Sequence, residues 1–111
     1  MEQLLHYVWK HKIFPLSSLQ TTSGRPVEVI DPGLPNMNAG PDFFNAKLKI
    51  DGTLWVGNVE VHTQASDWLL HRHDRDKAYD TVILHVVGES NCDVYRTNGE
   101  LVPQMVLTCP D

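Results

Sequence analysis

The feature that most constrains the fold of this chain is the hairpin signal Asp51-Gly52. Asp-Gly suits a two-residue β-turn, because both central positions of that turn take a positive φ. Apolar and polar residues alternate on both sides of the pair, over residues 44–50 and 53–63. A period of two indicates strands with one buried face. We therefore predict an antiparallel hairpin at the centre of a sheet. The side chains expected to be buried together on one face of it are Phe44, Leu48, Trp55 and Val59.

The remaining segments supply helices and further strands around this hairpin. The predicted elements are, in order, a helix over residues 2–11, a strand over 27–30, a short helix over 68–70, a buried strand over 81–87 and a terminal hairpin around Asn98-Gly99. The nearly continuous apolar run over 81–87 suits a central position in the sheet. We expect one domain spanning residues 1–111, of the α+β class, with a mixed, mainly antiparallel sheet and flanking helices.

Charge and composition narrow the class of function. The formal net charge of −5 argues against a protein that coats nucleic acid, because such proteins bind by neutralising phosphates. An enzyme with a carboxylate metal site is compatible with this charge, since a bound cation restores the local balance. No run of about 18 apolar residues occurs, so we predict no membrane partner. The sequence leaves the oligomeric state open.

The cysteines and the N-terminus predict a cytoplasmic location. Cys92 and Cys109 do not form a Cys-x-x-Cys motif, and the first residues lack the basic start and long apolar stretch of a secretory signal. A disulfide between the two cysteines stays open as an alternative. A reduced, cytoplasmic protein is the prediction.

Two acidic signals mark the ends of the predicted hairpin, Pro41-Asp42 before it and Glu60-Val61-His62 near its end. Two carboxylates brought together can hold a hard divalent cation such as Mg²⁺ or Mn²⁺, and such a cation can polarise a phosphoryl group or activate water. His62 leaves the same strand face as Glu60, because the two residues are two apart. It can act as a general base or as a third ligand. We predict Asp42, Glu60 and His62 as catalytic and metal-binding residues.

The pattern Pro-Asp, a hairpin, then acid-x-basic resembles the PD-(D/E)XK signature of the restriction-endonuclease-like nucleases. The predicted order of elements, α-β-β-β-α-β, also resembles the core of that fold. The resemblance implies a hydrolase that cleaves phosphodiester bonds in nucleic acid with Mg²⁺ or Mn²⁺. Those enzymes usually carry Lys at the last position, where this chain has His62. The expected substrate contacts are Gln64, further along the same strand face, and the cations Arg72 and Arg75.

The register of the hairpin sets a condition on this site. A strict two-residue turn at Asp51-Gly52 pairs Asp42 with Val61, which turns Asp42 to the face opposite Glu60. A β-bulge near Phe43, or a three-residue turn, is needed to bring the two carboxylates together.

Three longer strings resemble a bacterial family of unknown function. They are Asn38 to Phe43, Gly57 to His62 and Tyr79 to Val87, and they are similar to the domain-of-unknown-function family 2851 over essentially the whole chain. Members of that family are considerably longer, so the chain is expected to be the N-terminal portion of a longer protein. This resemblance implies no established activity.

Two alternatives remain open at this point. One is a histidine-rich site for Zn²⁺ or another transition metal, built from His71, His73 and His85 together with His62. Against it, His71 and His73 are expected to be solvated, and His85 is expected to be a neutral, hydrogen-bonded histidine inside a central strand. The other alternative is a non-catalytic interaction module of a longer protein. Under that hypothesis, the C-terminal part carries the activity and this segment only binds a partner. If Asp42, Glu60 and His62 form no site at all, we expect Glu60 and His62 on a solvent-facing strand surface and Asp42 at the start of a strand after a turn.

Overall fold

One mixed β-sheet organises the computed structural model, which describes residues 1–14 and 18–108. Its strands are β1 (Val27–Asp31), β2 (Leu34–Pro35), β3 (Phe43–Ile50), β4 (Thr53–Gln64), β5 (Val82–Glu89) and β6 (Gln104–Val106). The helices are α1 (Glu2–Lys10) and α2 (Asp67–Leu70), and two 3₁₀ turns span His73–Arg75 and Lys77–Tyr79. The strands lie in the order β1-β3-β4-β5-β6, with β2 beside β3. Pairings among β1 to β4 are antiparallel, while β5 runs parallel to β4 and β6 parallel to β5. The predicted α+β class and the mixed sheet are confirmed.

The predicted hairpin is formed by β3 and β4. Asp51 and Gly52 both have a positive φ, of 53° and 80°, as a two-residue turn of this kind requires. A bulge then interrupts the ladder between Phe43 and Ala46. Asn45 takes a positive φ of 58° within the bulge, and Phe43 pairs with Val59 beyond it. The register therefore shifts by one residue, and the bulge that a shared site of Asp42 and Glu60 requires is present.

Strand β4 is buried on both faces along its second half. Helix α1 contributes Leu5, Val8 and Trp9 to the apolar cluster that contains Val59 and Val61. On the other face, Glu60 and His62 are only 4% and 2% exposed. The hypothesis that these two side chains lie on a solvent-facing surface is therefore wrong. The cause is the crossover through α2, which must cover the sheet to make β5 parallel to β4.

The outer half of the hairpin is less buried than the sequence predicted. Leu48 and Val59 are fully buried, but Phe44 is 37% and Trp55 48% exposed. The bulge turns Phe44 outwards, and Phe43 and Ala46 take the core positions beside it. Trp55 precedes Asn58, where β5 begins to pair with β4. No described strand lies beside Trp55 on that edge.

We expect the substitution Trp55→Ala to lower the free energy of unfolding by less than about 1 kcal/mol, because the indole is half exposed. Leu48→Ala, on the neighbouring strand, is the matched comparison and should cost about 2–5 kcal/mol, because its side chain is fully buried. Urea unfolding of the two variants measures both values. Equal losses would contradict the burial described for this hairpin.

The end of the chain differs from the predicted terminal hairpin. Tyr95 and Leu101 form a single antiparallel bridge around the turn at Asn98-Gly99, and no described strand extends from it. Pro103 lacks the N–H that would continue the ladder, but its carbonyl accepts a hydrogen bond from the His85 backbone at 2.8 Å. The chain therefore adds β6 to the edge of β5. Cys109, one partner of the disulfide left open above, lies outside the described residues. No described helix has the length and apolar character needed to cross a membrane.

Candidate metal centre

Two neighbouring strands and one turn bring the polar side chains of the site together. The parallel pairing of β4 and β5 sets Glu60 opposite His85. After α2, Arg72 adopts a left-handed conformation with φ of 59°, and this reverses the chain. His73 then lies under the sheet, 6% exposed, with its ring stacked on Tyr79 at a centroid distance of 3.5 Å.

Glu60 is the point on which the site converges. Its Oε2 lies 2.9 Å from His73 Nε2 and 3.2 Å from His62 Nε2. Its Oε1 accepts a hydrogen bond from the Asp42 backbone N–H at 3.1 Å. Burial acts to raise the pKa of Glu60, but the hydrogen bonds to His62 and His73 outweigh it and lower the pKa to about 2. Glu60 is therefore an ionised, almost fully buried carboxylate.

Asp42 lies beside Glu60 in a different protonation state. Its Oδ2 accepts a hydrogen bond from the Val61 N–H at 2.9 Å and lies 3.4 Å from His6 Nε2. Burial and the negative charge of Glu60 together raise the pKa of Asp42 to about 8. Two adjacent carboxyl groups cannot both ionise easily, so the charge lies on Glu60 and the proton on Asp42.

Three histidines lie close enough together to supply nitrogen ligands to one metal ion. One ring nitrogen from each of His62, His71 and His73 lies within 4.8 Å of the other two. Donor atoms on a tetrahedral cation with bonds of about 2.1 Å are about 3.4 Å apart. The separations from Glu60 Oε2 to His62 and His73, 3.2 and 2.9 Å, are already close to that value. His71 is exposed, so its side chain has room to turn toward a cation held by His62 and His73.

The structure brings Asp42, Glu60 and His62 together, as the sequence required. It adds His71 and His73, and the expectation that His73 is solvated is wrong because the left-handed turn at Arg72 carries it inwards. His85 is buried inside the sheet, as predicted. Both of its ring nitrogens are occupied by hydrogen bonds, so it is not available as a ligand in the alternative set His71, His73 and His85.

Other residues of the site differ in how well the sequence signalled them. Gln64, Arg72 and Arg75 are exposed, and their role as substrate contacts stays a prediction. Sequence reasoning missed His6 and Gln104. His6 comes from α1, and no local pattern connects it with Asp42. Gln104 follows Pro103, where the chain was expected to return along a hairpin.

One comparison with known proteins gives a match. The sequence model described as "Protein of unknown function (DUF2851)" matches residues 2–110, so the resemblance to family 2851 is confirmed. No curated protein and no solved structure matches the chain.

Proposed function

We propose that this chain, which belongs to the DUF2851 family of proteins of unknown function, binds a divalent transition metal and hydrolyses phosphodiester bonds in nucleic acid. The observation that carries the proposal is the convergence of His62 Nε2 and His73 Nε2 on Glu60 Oε2. A ring nitrogen of His71 lies within 4.8 Å of ring nitrogens of both His62 and His73.

The donor set favours one group of metals. Imidazole nitrogens suit Zn²⁺ and other transition metals, whereas Mg²⁺ prefers oxygen ligands and keeps several waters. Three imidazoles and one carboxylate therefore favour Zn²⁺, with Mn²⁺ as the second candidate. Because of these nitrogen ligands, Zn²⁺ ranks above Mg²⁺. Two carboxylates alone would have favoured Mg²⁺.

The chemistry of the proposed reaction is divided between the cation and the protein. A bound Zn²⁺ supplies Lewis acidity and lowers the pKa of a ligated water. In the metal-free protein Asp42 holds a proton near pH 7, and its side chain is 24% exposed. A carboxyl group at this position can exchange a proton with a ligated water or with the leaving oxygen of a phosphodiester. His62, Glu60 and His73 hold the site and do not transfer the proton.

The choice of nucleic acid as substrate rests on two further features. The motif Pro41-Asp42, a hairpin, then Glu60-x-His62 resembles the nuclease signature, and the bulge at Phe43 satisfies its geometric condition. Arg72 and Arg75 are exposed beside the histidines, where cations suit phosphate oxygens.

The test combines metal binding with cleavage. We expect calorimetry to show one Zn²⁺ per chain, weaker Mn²⁺ and no comparable Mg²⁺ binding, and the Zn²⁺-loaded protein to cleave DNA or RNA oligonucleotides. His62→Ala should weaken Zn²⁺ binding at least about 10-fold, because a ligand is removed.

The matched control is His11→Ala, because His11 is an exposed histidine beyond the end of α1. It should leave both the affinity and the cleavage unchanged. Binding of Zn²⁺ without cleavage of any oligonucleotide would contradict the proposed nuclease activity. Metal binding would then be the only part of the proposal that stands. Failure to bind Zn²⁺ or Mn²⁺ would contradict both.

One observation favours the alternative of a non-catalytic interaction module. Leu54 and Val56 lie two apart on one face of β4 and are 54% and 59% exposed. Exposed apolar patches often mark contacts with another protein. This alternative predicts that replacing both by Ser leaves Zn²⁺ affinity unaltered while abolishing binding to a partner.

A further inference from the structure

A continuous line of hydrogen bonds runs through the protein interior behind the candidate metal centre. Gln104 Oε1 lies 2.9 Å from His85 Nδ1, and His85 Nε2 lies 2.8 Å from His62 Nδ1. The three side chains are 3%, 0% and 2% exposed. Because the three side chains are buried, their polar atoms depend on one another for hydrogen bonds. Each donor must therefore face an acceptor, and this requirement fixes which ring nitrogens carry a proton.

The amide of Gln104 has one workable orientation. Its Nε2 donates to the backbone carbonyl of Cys92 at 3.0 Å and to Ser90 Oγ at 2.8 Å. A carbonyl oxygen only accepts, so the reversed amide would place two oxygens against each other. Gln104 Oε1 therefore faces His85 and must accept a proton from His85 Nδ1.

The tautomer of His85 determines the tautomer of His62. It is fully buried, and its hydrogen-bond partners among the described residues are the neutral amide and another imidazole. A charged ring there would be costly, so His85 is neutral. A neutral imidazole carries a proton on one nitrogen only. Because Nδ1 carries it, Nε2 accepts, and His62 Nδ1 must donate.

The tautomer of His62 determines what its Nε2 presents to the carboxylate. With its proton on Nδ1, neutral His62 has its lone pair on Nε2, which lies 3.2 Å from Glu60 Oε2. A lone pair and an ionised carboxylate repel one another at this distance. The contact is favourable only when a positive species lies between them, which is a metal ion or, in its absence, a second proton on His62.

We infer that Gln104 and His85 are positioning residues that fix the proton of His62 on Nδ1 and so present its Nε2 lone pair to the metal. The inference rests on the proposed function, because it assigns a role to residues behind one of its ligands. Metal-binding histidines commonly donate their other N–H to a partner that orients the ring. Here that partner is a neutral histidine, whose own tautomer is set by a glutamine.

The test measures the proton positions by nitrogen-15 NMR of the imidazole rings. In the metal-free wild-type protein we expect His85 to be protonated at Nδ1 and not at Nε2, and His62 to be protonated at Nδ1. Gln104→Leu removes the acceptor, so the two tautomers of His85 should become mixed. Zn²⁺ affinity should then fall about 10- to 100-fold.

One control variant separates the effect on these hydrogen bonds from a general effect on packing. Ser90→Ala removes a partner of Gln104 Nε2 and keeps the acceptor for His85, so tautomer and affinity should be preserved. If Gln104→Leu does not fold, the wild-type spectrum alone shows which ring nitrogens of His85 and His62 carry protons.

The outcomes distinguish this inference from the proposed function. If the protein binds Zn²⁺ while His85 is protonated at Nε2, the proton positions inferred for Gln104, His85 and His62 are wrong, but the proposed metal site stands. An unchanged tautomer and affinity in folded Gln104→Leu overturns the positioning role of Gln104 as well. If the wild-type protein binds no Zn²⁺, the proposed metal site is wrong, and Gln104 and His85 then have no metal ligand to position.

Discussion

Replacing Glu60 by Gln is expected to lower the affinity for Zn²⁺ by at least about 100-fold, since loss of even an outer partner of a ligand commonly costs 10- to 100-fold. The substitution keeps the shape of the side chain, and the amide oxygen can still accept the hydrogen bond from the Asp42 N–H. What is lost is the negative charge on the oxygen that lies 2.9 Å from His73 and 3.2 Å from His62. The measurement is calorimetric titration of Zn²⁺ into the folded variant.

A second readout of Glu60→Gln does not depend on the metal. The charge of Glu60 is one of the causes that raise the pKa of Asp42, after burial itself. In the metal-free variant the pKa of Asp42 should therefore move down from about 8. Carbon-13 NMR of the aspartate carboxyl groups follows it directly. Glu89→Gln, at the exposed end of β5, is the matched control and should change neither quantity. Unaltered Zn²⁺ affinity in Glu60→Gln would exclude this carboxylate as a ligand.

The central hairpin was predictable because its signals are local. Asp51-Gly52 determines its own turn through positive φ angles, and the alternation on both sides follows from one buried face. The bulge was predictable only as a condition on Asp42 and Glu60. Its position depends on Asn45 taking a left-handed conformation, which Asn adopts in many turns that contain no bulge.

The histidine cluster was less predictable, because it is assembled by tertiary structure. His73 lies inside the site because Arg72 is left-handed, and an arginine gives no sequence signal for that conformation. Gln104 reaches His85 because β6 joins the sheet in parallel, whereas the local signal at Asn98-Gly99 indicated a hairpin. Burial of Trp55 was wrongly predicted, because alternation identifies a face but does not say where the neighbouring strand begins.

The contribution of Asp42 to the stability of the metal-free protein is expected to fall as the pH rises from about 5 to 8, whereas that of buried His85, whose pKa is lowered to about 4, rises up to about pH 6.5. The pKa of Asp42 is raised to about 8 by burial and by the charge of Glu60. The folded state therefore holds this proton more tightly than the unfolded state does. Its contribution is complete below the ordinary aspartate pKa of about 4 and is lost as the pH rises toward 8. The contribution of Glu60 to stability has the opposite sign. Its pKa is lowered to about 2, so its ionised form stabilises the fold above about pH 4.5. This contribution is complete, and therefore constant, between about pH 5 and 8.

Saturating Zn²⁺ should reverse this trend, because a metal competes with protons for its ligands and binds more tightly as the pH rises. At a free concentration of about 1,000 times the dissociation constant, binding adds about 4 kcal/mol to the free energy of unfolding. Urea unfolding with a chelator and with Zn²⁺, at pH 5 and pH 8, measures both trends. Asp42→Asn removes the titrating group and keeps an oxygen for the Val61 N–H, so it should abolish the fall in metal-free stability that Asp42 causes. An unchanged pH dependence in Asp42→Asn would show that Asp42 is already ionised beside Glu60 across this range.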